Sequence, residues 1–213
     1  MLTLARLGLL CALCVCAAAP AHADADGVDA LLSRLAQIPG LSAKFHEEKR
    51  IQLLSTPLAS DGSVYFTKPA TLMRRVDTPE SSRMLLAQGR LTLWDASGKH
   101  SFELGANAAL RSLAESFLYV LAGDRKALNG LYDMQFSGSS AAAWKLRLSP
   151  KTKALARLIR EIKLEGDALR VRILQLTEAS GDVTNTSFSD VRTDRRFSAQ
   201  EKQQIFGASA GSP

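Results

Sequence analysis

The side chains able to do covalent chemistry are few, and their spacing suits it poorly. The three cysteines are Cys11, Cys14 and Cys16. Cys11 and Cys14 have the C-x-x-C spacing of a redox dithiol or half a zinc site. All three lie in an uncharged apolar run from Leu7 to Ala19, where they serve as hydrophobic filler. A lipidation cysteine would want a small residue before it, and Val15 and Leu13 are not small. His46 and His100 each stand without a second histidine nearby, which argues against a metal site. Glu47 and Glu48 are adjacent carboxylates, but neighbours on a strand point to opposite faces and cannot act as an acid/base pair. The "SGSSA" stretch lacks the strand-to-turn-to-helix setting of a nucleophilic serine. No phosphate-cradling glycine loop or calcium-type aspartate pattern appears. The chain therefore reads as a non-enzyme without metal or cofactor. A lipid hydrolase would need a Ser/His/Asp cluster that nothing here assembles.

One polar residue is out of place. In "TLMRRVDT" the alternation puts Leu72, Arg74 and Val76 on one face, a cation among oils. Arg74 is either an outer-face charge at a rim or a contact to an anionic headgroup or to the polar end of a guest.

The elements that hold these residues follow a segment to be set aside. "MLTLARLGLLCALCVCAAAPAHA" has one cation, an apolar run and the small-x-small triplet Ala21-His22-Ala23. That is a secretory signal peptide over residues 1–23, cleaved after Ala23, and it implies an exported protein. The apolar run is shorter than the ~20 residues of a spanning helix. The mature chain would have no cysteine, so its core alone must stabilise it. The net charge of +6 falls to about +5 without Arg6, a mild excess that favours anionic surfaces weakly. With no basic run and only 6% aromatic residues, nucleic acid is not an expected partner.

Val28, Leu31, Leu32 and Leu35 have helical spacing, with Asp26 as N-cap and Pro39-Gly40 as the stop. The period then changes to two. Strands are expected in "SAKFHEEKRIQ", "SVYFTK", "TLMRRVDT", "RMLLAQ" and "RLTLWDA", with "TPLASDG" as a connection. "NAALRSLAESFLYVLAGD" is a second helix, with Leu110, Leu113, Phe117, Leu118 and Leu121 as its stripe and Gly123 as its stop. "AWKLRLSP" alternates cleanly. A hairpin about Gly166-Asp167 puts Ile162 and Leu164 on one side before the turn, and Leu169, Val171 and Ile173 after it. A last strand surrounds Phe188, and Ser198 with Glu201 has capping-box spacing for a short final helix. These eight or so strands and their helices make a single α+β domain over 24–206, with a disordered tail at 207–213. The oily sheet face and oily helix either pack into a dry core or enclose a cup wider than their own side chains fill.

"LSAKFHEEKRIQLLSTPLASDGSVYFTKPATLMRRVDTPESSRMLLAQGRLTLWD" resembles the amino-terminal half of the bacterial outer-membrane lipoprotein carrier (LolA-like) family. The shared pattern is Phe45 two residues before Glu47, then Gly62 entering a strand, Lys68-Pro69, Pro79-Glu80 and the Gln88–Trp94 strand. The likeness in layout spans nearly the whole mature chain. It implies an incomplete antiparallel β-barrel with helices covering the hollow. It also implies a monomeric periplasmic carrier that takes lipidated protein or lipid cargo from an inner-membrane donor complex to an outer-membrane acceptor. Lining candidates are then Phe45, Val64, Phe66, Leu72, Met84, Leu86, Leu91, Leu93, Leu113, Phe117 and Leu121, with Lys68 and Arg74 at the rim. The family commonly has arginine at the place of Lys68 and an aromatic at that of Arg74, so a divergent branch with another lipid cargo, a glycolipid or lipid-linked pigment, is indicated. The alternative is a periplasmic sensor or interaction domain of the same fold that binds a protein partner.

Overall fold

A computed structural model describes residues 22–207. The expected leader, except His22 and Ala23, and the expected tail, except Gly207, lie outside the described residues.

The first helix, α1, spans His22–Leu35, four residues longer at its start than its expected cap at Asp26. Its buried stripe is the expected one: Val28, Leu31, Leu32 and Leu35. Six strands follow: β1 (Gly40–Arg50), β2 (Leu58–Thr67), β3 (Thr71–Thr78), β4 (Ser82–Ala87), β5 (Arg90–Asp95) and β6 (Gly98–Glu103). Part of the expected "TPLASDG" connection is strand, because β2 pairs with β1 as far back as Leu58. A 3-10 turn at Leu104–Ala106 leads to α2 (Ala108–Ala122) and α3 (Arg125–Leu131). The Asn107 side chain caps the start of α2, and Gly123 ends it at φ 69, a left-handed conformation that glycine adopts without steric cost. Then come β7 (Tyr132–Gly138), β8 (Ala143–Pro150), α4 (Lys153–Ala156), β9 (Ile159–Asp167), β10 (Arg170–Glu178), β11 (Val183–Arg192) and α5 (Ala199–Phe206). The Ser198/Glu201 capping box is present at the start of α5.

All eleven strands form one sheet in the order β6-β5-β4-β3-β2-β1-β11-β10-β9-β8-β7. Every pairing is antiparallel, and the sheet is curved but not closed into a barrel. The two ends of the chain meet in its middle, where β1 pairs with β11. β6 and β7 are its two edges, so the segment between them, α2 and α3, must cross from one edge to the other.

Cross-strand register shows which side chains share the concave face, since residues directly opposite lie on the same side. One row runs Ala43, Val64, Arg74, Met84, Leu93 and His100. A second runs Leu41, Phe66, Leu72, Leu86, Leu91 and Phe102. In the other half, Met134, Leu148, Ile162 and Leu176 form one row, and Phe136, Leu146, Leu164 and Leu174 the next.

The core is split in two. One cluster gathers α1, Val120, Leu128 and the β7–β9 rows, with Tyr132 and Trp144 fully buried. The other gathers Ile38, Leu41, Phe66, Leu72, Leu86, Leu104 and Leu118. On the convex side, Phe197 packs edge-on against Tyr65 and Phe206, so α5 covers part of that surface.

Two expectations of parity are corrected. Ile173 is exposed, because a bulge between Val171 and Ile173 turns the strand over; Leu174 and Leu176 face inward instead. Leu110, the first member of the α2 stripe, is also exposed.

Candidate functional site

Between the two core clusters the concave face is not filled. A cavity of about 240 Å³ lies between the sheet and α2. One wall is Ala43, Phe45, Val64, Leu72 and Met84 from β1 to β4. The facing wall is Leu148, Ile162, Leu164, Val171, Leu174 and Leu176 from β8 to β10. Phe188 and Thr186 from β11 join the two, and Ser116, Phe117, Val120 and Leu121 of α2 cover them. α2 joins both clusters, through Val120 in one and Leu118 in the other, and leaves the space between them open.

Polar groups in this wall are few and mutually engaged. Arg74 Nη2 donates to Glu47 Oε1 at 2.9 Å, and Thr186 Oγ1 donates to Glu47 Oε2 at 3.0 Å. The Arg74 guanidinium also lies over the Phe45 ring, 4.3 Å from its centroid, a cation–π contact. Both charged side chains are about three-quarters covered, at 27% and 24% exposure. Arg74 is thus neither a free rim charge nor a solvated outer-face residue. It is part of the wall, held by a carboxylate two residues along from Phe45. Ser116 is fully buried; its hydroxyl meets the Tyr132 hydroxyl at 2.7 Å and donates to the Ser112 carbonyl. Burial pushes the Tyr132 phenol above its ordinary pKa, so it stays a neutral hydrogen-bonding group.

Among the described residues no histidine lines the cavity, and no three His, Cys, Asp or Glu side chains come together as metal ligands. Among the described residues no helix is long and apolar enough to cross a membrane.

A curved antiparallel sheet with a crossing helix over an apolar hollow is a specific arrangement, and a sequence comparison agrees with it. The family described as "Outer membrane lipoprotein carrier protein LolA-like" matches residues 17–204. The chain belongs to this family. No curated protein matches the sequence. Among solved structures, MucB is similar at 16% identity and a TM-score of 0.50, over 88% of this chain and 64% of that one. A DUF1329 family protein from Desulfovibrio piger matches at 12% identity and TM-score 0.48, over 82% and 94%. A LolA superfamily protein from Nitrosomonas europaea matches at 13% identity and TM-score 0.43, over 82% and 96%. At its identity the likeness to MucB shows the fold alone.

Within this LolA-like fold, Phe45, Val64, Leu72, Met84, Phe117 and Leu121 stand against the cavity, as does Arg74. Phe66 and Leu86 are buried in the second cluster, with Leu91 packed on it. They share the row of Leu41 and Leu72, which do reach the cavity, but stand where Leu104 and Leu118 fill the space. Leu93 is one strand beyond Met84, toward the open edge, and Leu113 packs on the first cluster. Lys68 is exposed and donates to the Ala36 carbonyl just past α1. Glu47, Thr186 and the whole β8–β10 wall were not among the expected lining residues. Their signals were present: Glu47 shares parity with Phe45, and "AWKLRLSP" and "LIREIKLEG" alternate as clearly as the first half.

Proposed function

We propose that this chain is a periplasmic carrier that holds one acyl chain of a lipidated protein or lipid in its hollow and delivers it toward the outer membrane. It does so by binding alone, without covalent chemistry. The observation that carries this reading is the unfilled apolar cavity beneath α2. Each methylene moved from water to such a surface contributes ~0.8 kcal/mol, so an aliphatic tail is the guest this wall rewards. At about 240 Å³ the hollow is smaller than the ~300–1,000 Å³ of a typical ligand pocket, which favours one slender tail over a bulky guest. The lining is mostly aliphatic, with Phe45, Phe117 and Phe188, and adaptable at Met84, which suits a guest that must leave again. Ser116 is unsuited to act as a nucleophile, since Tyr132 and Ser112 already engage its hydroxyl.

The test is native mass spectrometry of protein purified from the periplasm, with a fluorescent acyl probe on the lipid-free form. Added mass matching a lipid, and saturable probe binding lost in Phe117→Glu, are the expected results. No added mass together with no probe binding would overturn the reading.

A second reading, an interaction domain for a protein partner, has one observation in its favour. The β1–β2 hairpin tip exposes Leu53 at 93%, with Leu54 and Leu58 also exposed. Apolar side chains gathered on a surface mark contact sites. Replacing Leu53 and Leu54 by serine separates the readings. A carrier keeps its acyl binding, whereas an interaction domain loses its partner.

A further inference from the structure

Apart from the hydroxyls of Ser116, Thr184 and Thr186, the wall of the hollow is apolar except at one charged pair, and that pair limits what head its guest can carry. Arg74 and Glu47 are the charged residues of the lining, and their formal charges cancel. A guanidinium offers five N–H donors. Glu47 engages Nη2, which leaves Nη1 and Nε for a further acceptor. The Phe45 ring beneath keeps the guanidinium plane in place.

We propose that the Arg74–Glu47 pair makes the hollow selective for an uncharged acyl head that accepts a hydrogen bond, an ester or amide carbonyl, over a free fatty-acid anion. This rests on the acyl-binding reading above. A carbonyl takes a spare guanidinium N–H and leaves no charge over. A carboxylate entering the same place finds the cation already matched, so one negative charge stays uncompensated in a largely apolar wall, a costly state. Nor can the guest's anion readily displace Glu47. That carboxylate is attached to the same sheet, and Thr186 holds it through its other oxygen. A tethered partner acts at a high effective concentration that a dilute ligand must overcome. Glu47 also remains an acceptor for a hydroxyl near the carbonyl, as a monoacylglycerol carries. The pair therefore does the reverse of what a lone arginine in a lipid pocket would do.

The experiment compares 1-monolaurin with laurate, two ligands of equal chain length, at pH 8 and below their micelle concentrations. Each displaces the neutral fluorophore N-phenyl-1-naphthylamine from the lipid-free full chain. The wild type is expected to bind monolaurin at least 10-fold more tightly than laurate. Glu47→Gln keeps the size of the side chain and an oxygen for Thr186 but frees the Arg74 charge. Its preference should shift toward laurate by at least 10-fold. The double variant Glu47→Gln, Arg74→Met removes both charges; it should discriminate less than the wild type without gaining the affinity for laurate, and it tests the idea should the single variant fail to fold. Equal binding of both ligands by the wild type would overturn the selectivity proposal, as would an unchanged ratio in the variants, while leaving acyl binding intact. If neither ligand nor fluorophore binds the folded wild type, the acyl reading itself falls.

Discussion

The hydroxyls of Ser116 and Tyr132 meet 2.7 Å apart, and that contact joins the helix over the hollow to β7, the edge strand next to its far wall. Tyr132 is fully buried at the start of β7, and Ser116 sits mid-way along α2. A helix that crosses a curved sheet needs such a pin, because aliphatic contacts alone let it slide. Tyr132→Phe keeps the ring and removes the contact. Ser116 then retains its bond to the Ser112 carbonyl, so no buried donor is orphaned. Denaturant unfolding should show a loss of ~0.5–1.5 kcal/mol with an unchanged m-value. Hydrogen exchange at α2 should rise more than at β1. A variant as stable as the wild type, with unchanged exchange, would show that the hydroxyl contact does not hold α2.

Gly62 makes a different kind of demand. A Cβ at this position would stand 1.9 Å from the Arg75 carbonyl oxygen and 2.8 Å from the Phe45 ring. The β2–β3 register shifts between Asp61 and Gly62, which brings the two backbones close. Backbone cannot yield as a side-chain tip can. Gly62→Ala should therefore cost ~1–3 kcal/mol and disturb Phe45, a cavity residue. Probe affinity should fall together with the melting temperature. Gly62→Ala with wild-type stability would show that the strands separate freely there.

These two positions also show what the sequence could convey. Alternation gave the inward parity of Phe45, Val64, Leu72 and Met84, because pleating allows no other choice once one face is oily. It did not give depth along the strand. Phe66 and Leu86 share parity and cross-strand row with Leu72 of the cavity lining, yet they pack beneath Leu104 and Leu118, and only where those two residues land decides which side chains are covered. Parity itself failed at Ile173, where one extra residue in the strand reversed the pattern downstream. β6 and β7 were not legible as strands. β6 (GKHSFE) is exposed throughout, so no buried face imposes an alternation, and β7 starts at Tyr132 directly after α3, within which the turn-like Asn129-Gly130 lies. Glu47 was legible by parity but discounted by type. A carboxylate next to a second carboxylate looks like solvated surface until its partner Arg74, 27 residues away, is placed beside it.

Lys68 stands at the end of β2 and reaches the carbonyl of Ala36, the residue that follows α1. A cation at a helix C-terminus meets the negative end of the dipole and satisfies a free carbonyl. Because the contact is exposed, its contribution is small, ~0.3–1 kcal/mol. α1 is held mainly by Leu31, Leu32 and Leu35 in the first cluster. Lys68→Met should therefore leave the fold intact and raise hydrogen exchange over residues 33–38 alone, while Lys68→Arg should restore protection. A global loss of stability in Lys68→Met would mean that the lysine does more than cap α1.

His46 faces away from the hollow, on the outer side of β1, and its Nδ1 lies 2.8 Å from Asp61 Oδ1. The hydrogen bond to Asp61 raises the His46 pKa above 6.5, and Glu48 adds to the shift. The same bond lowers the Asp61 pKa below 3.8, helped by Thr78. For His46 the raised value means a contribution fully present below pH 6.5 and lost as pH rises through the folded-state pKa. For Asp61 the lowered value means a contribution present above pH 3.8 and lost as pH falls through its folded-state pKa. Both are in force between those limits. The melting temperature of the wild type should thus exceed that of Asp61→Asn most clearly near pH 5. The gap should shrink toward pH 8.5 and, at the acid end, below pH 3. Both groups are exposed, so salt should reduce it further. NMR titration of the His46 ring checks the cause directly, with the midpoint above 6.5 in the wild type and lower in Asp61→Asn. A midpoint unmoved by the substitution would remove Asp61 as the source of the shift and leave the pH dependence of the melting temperature without its cause.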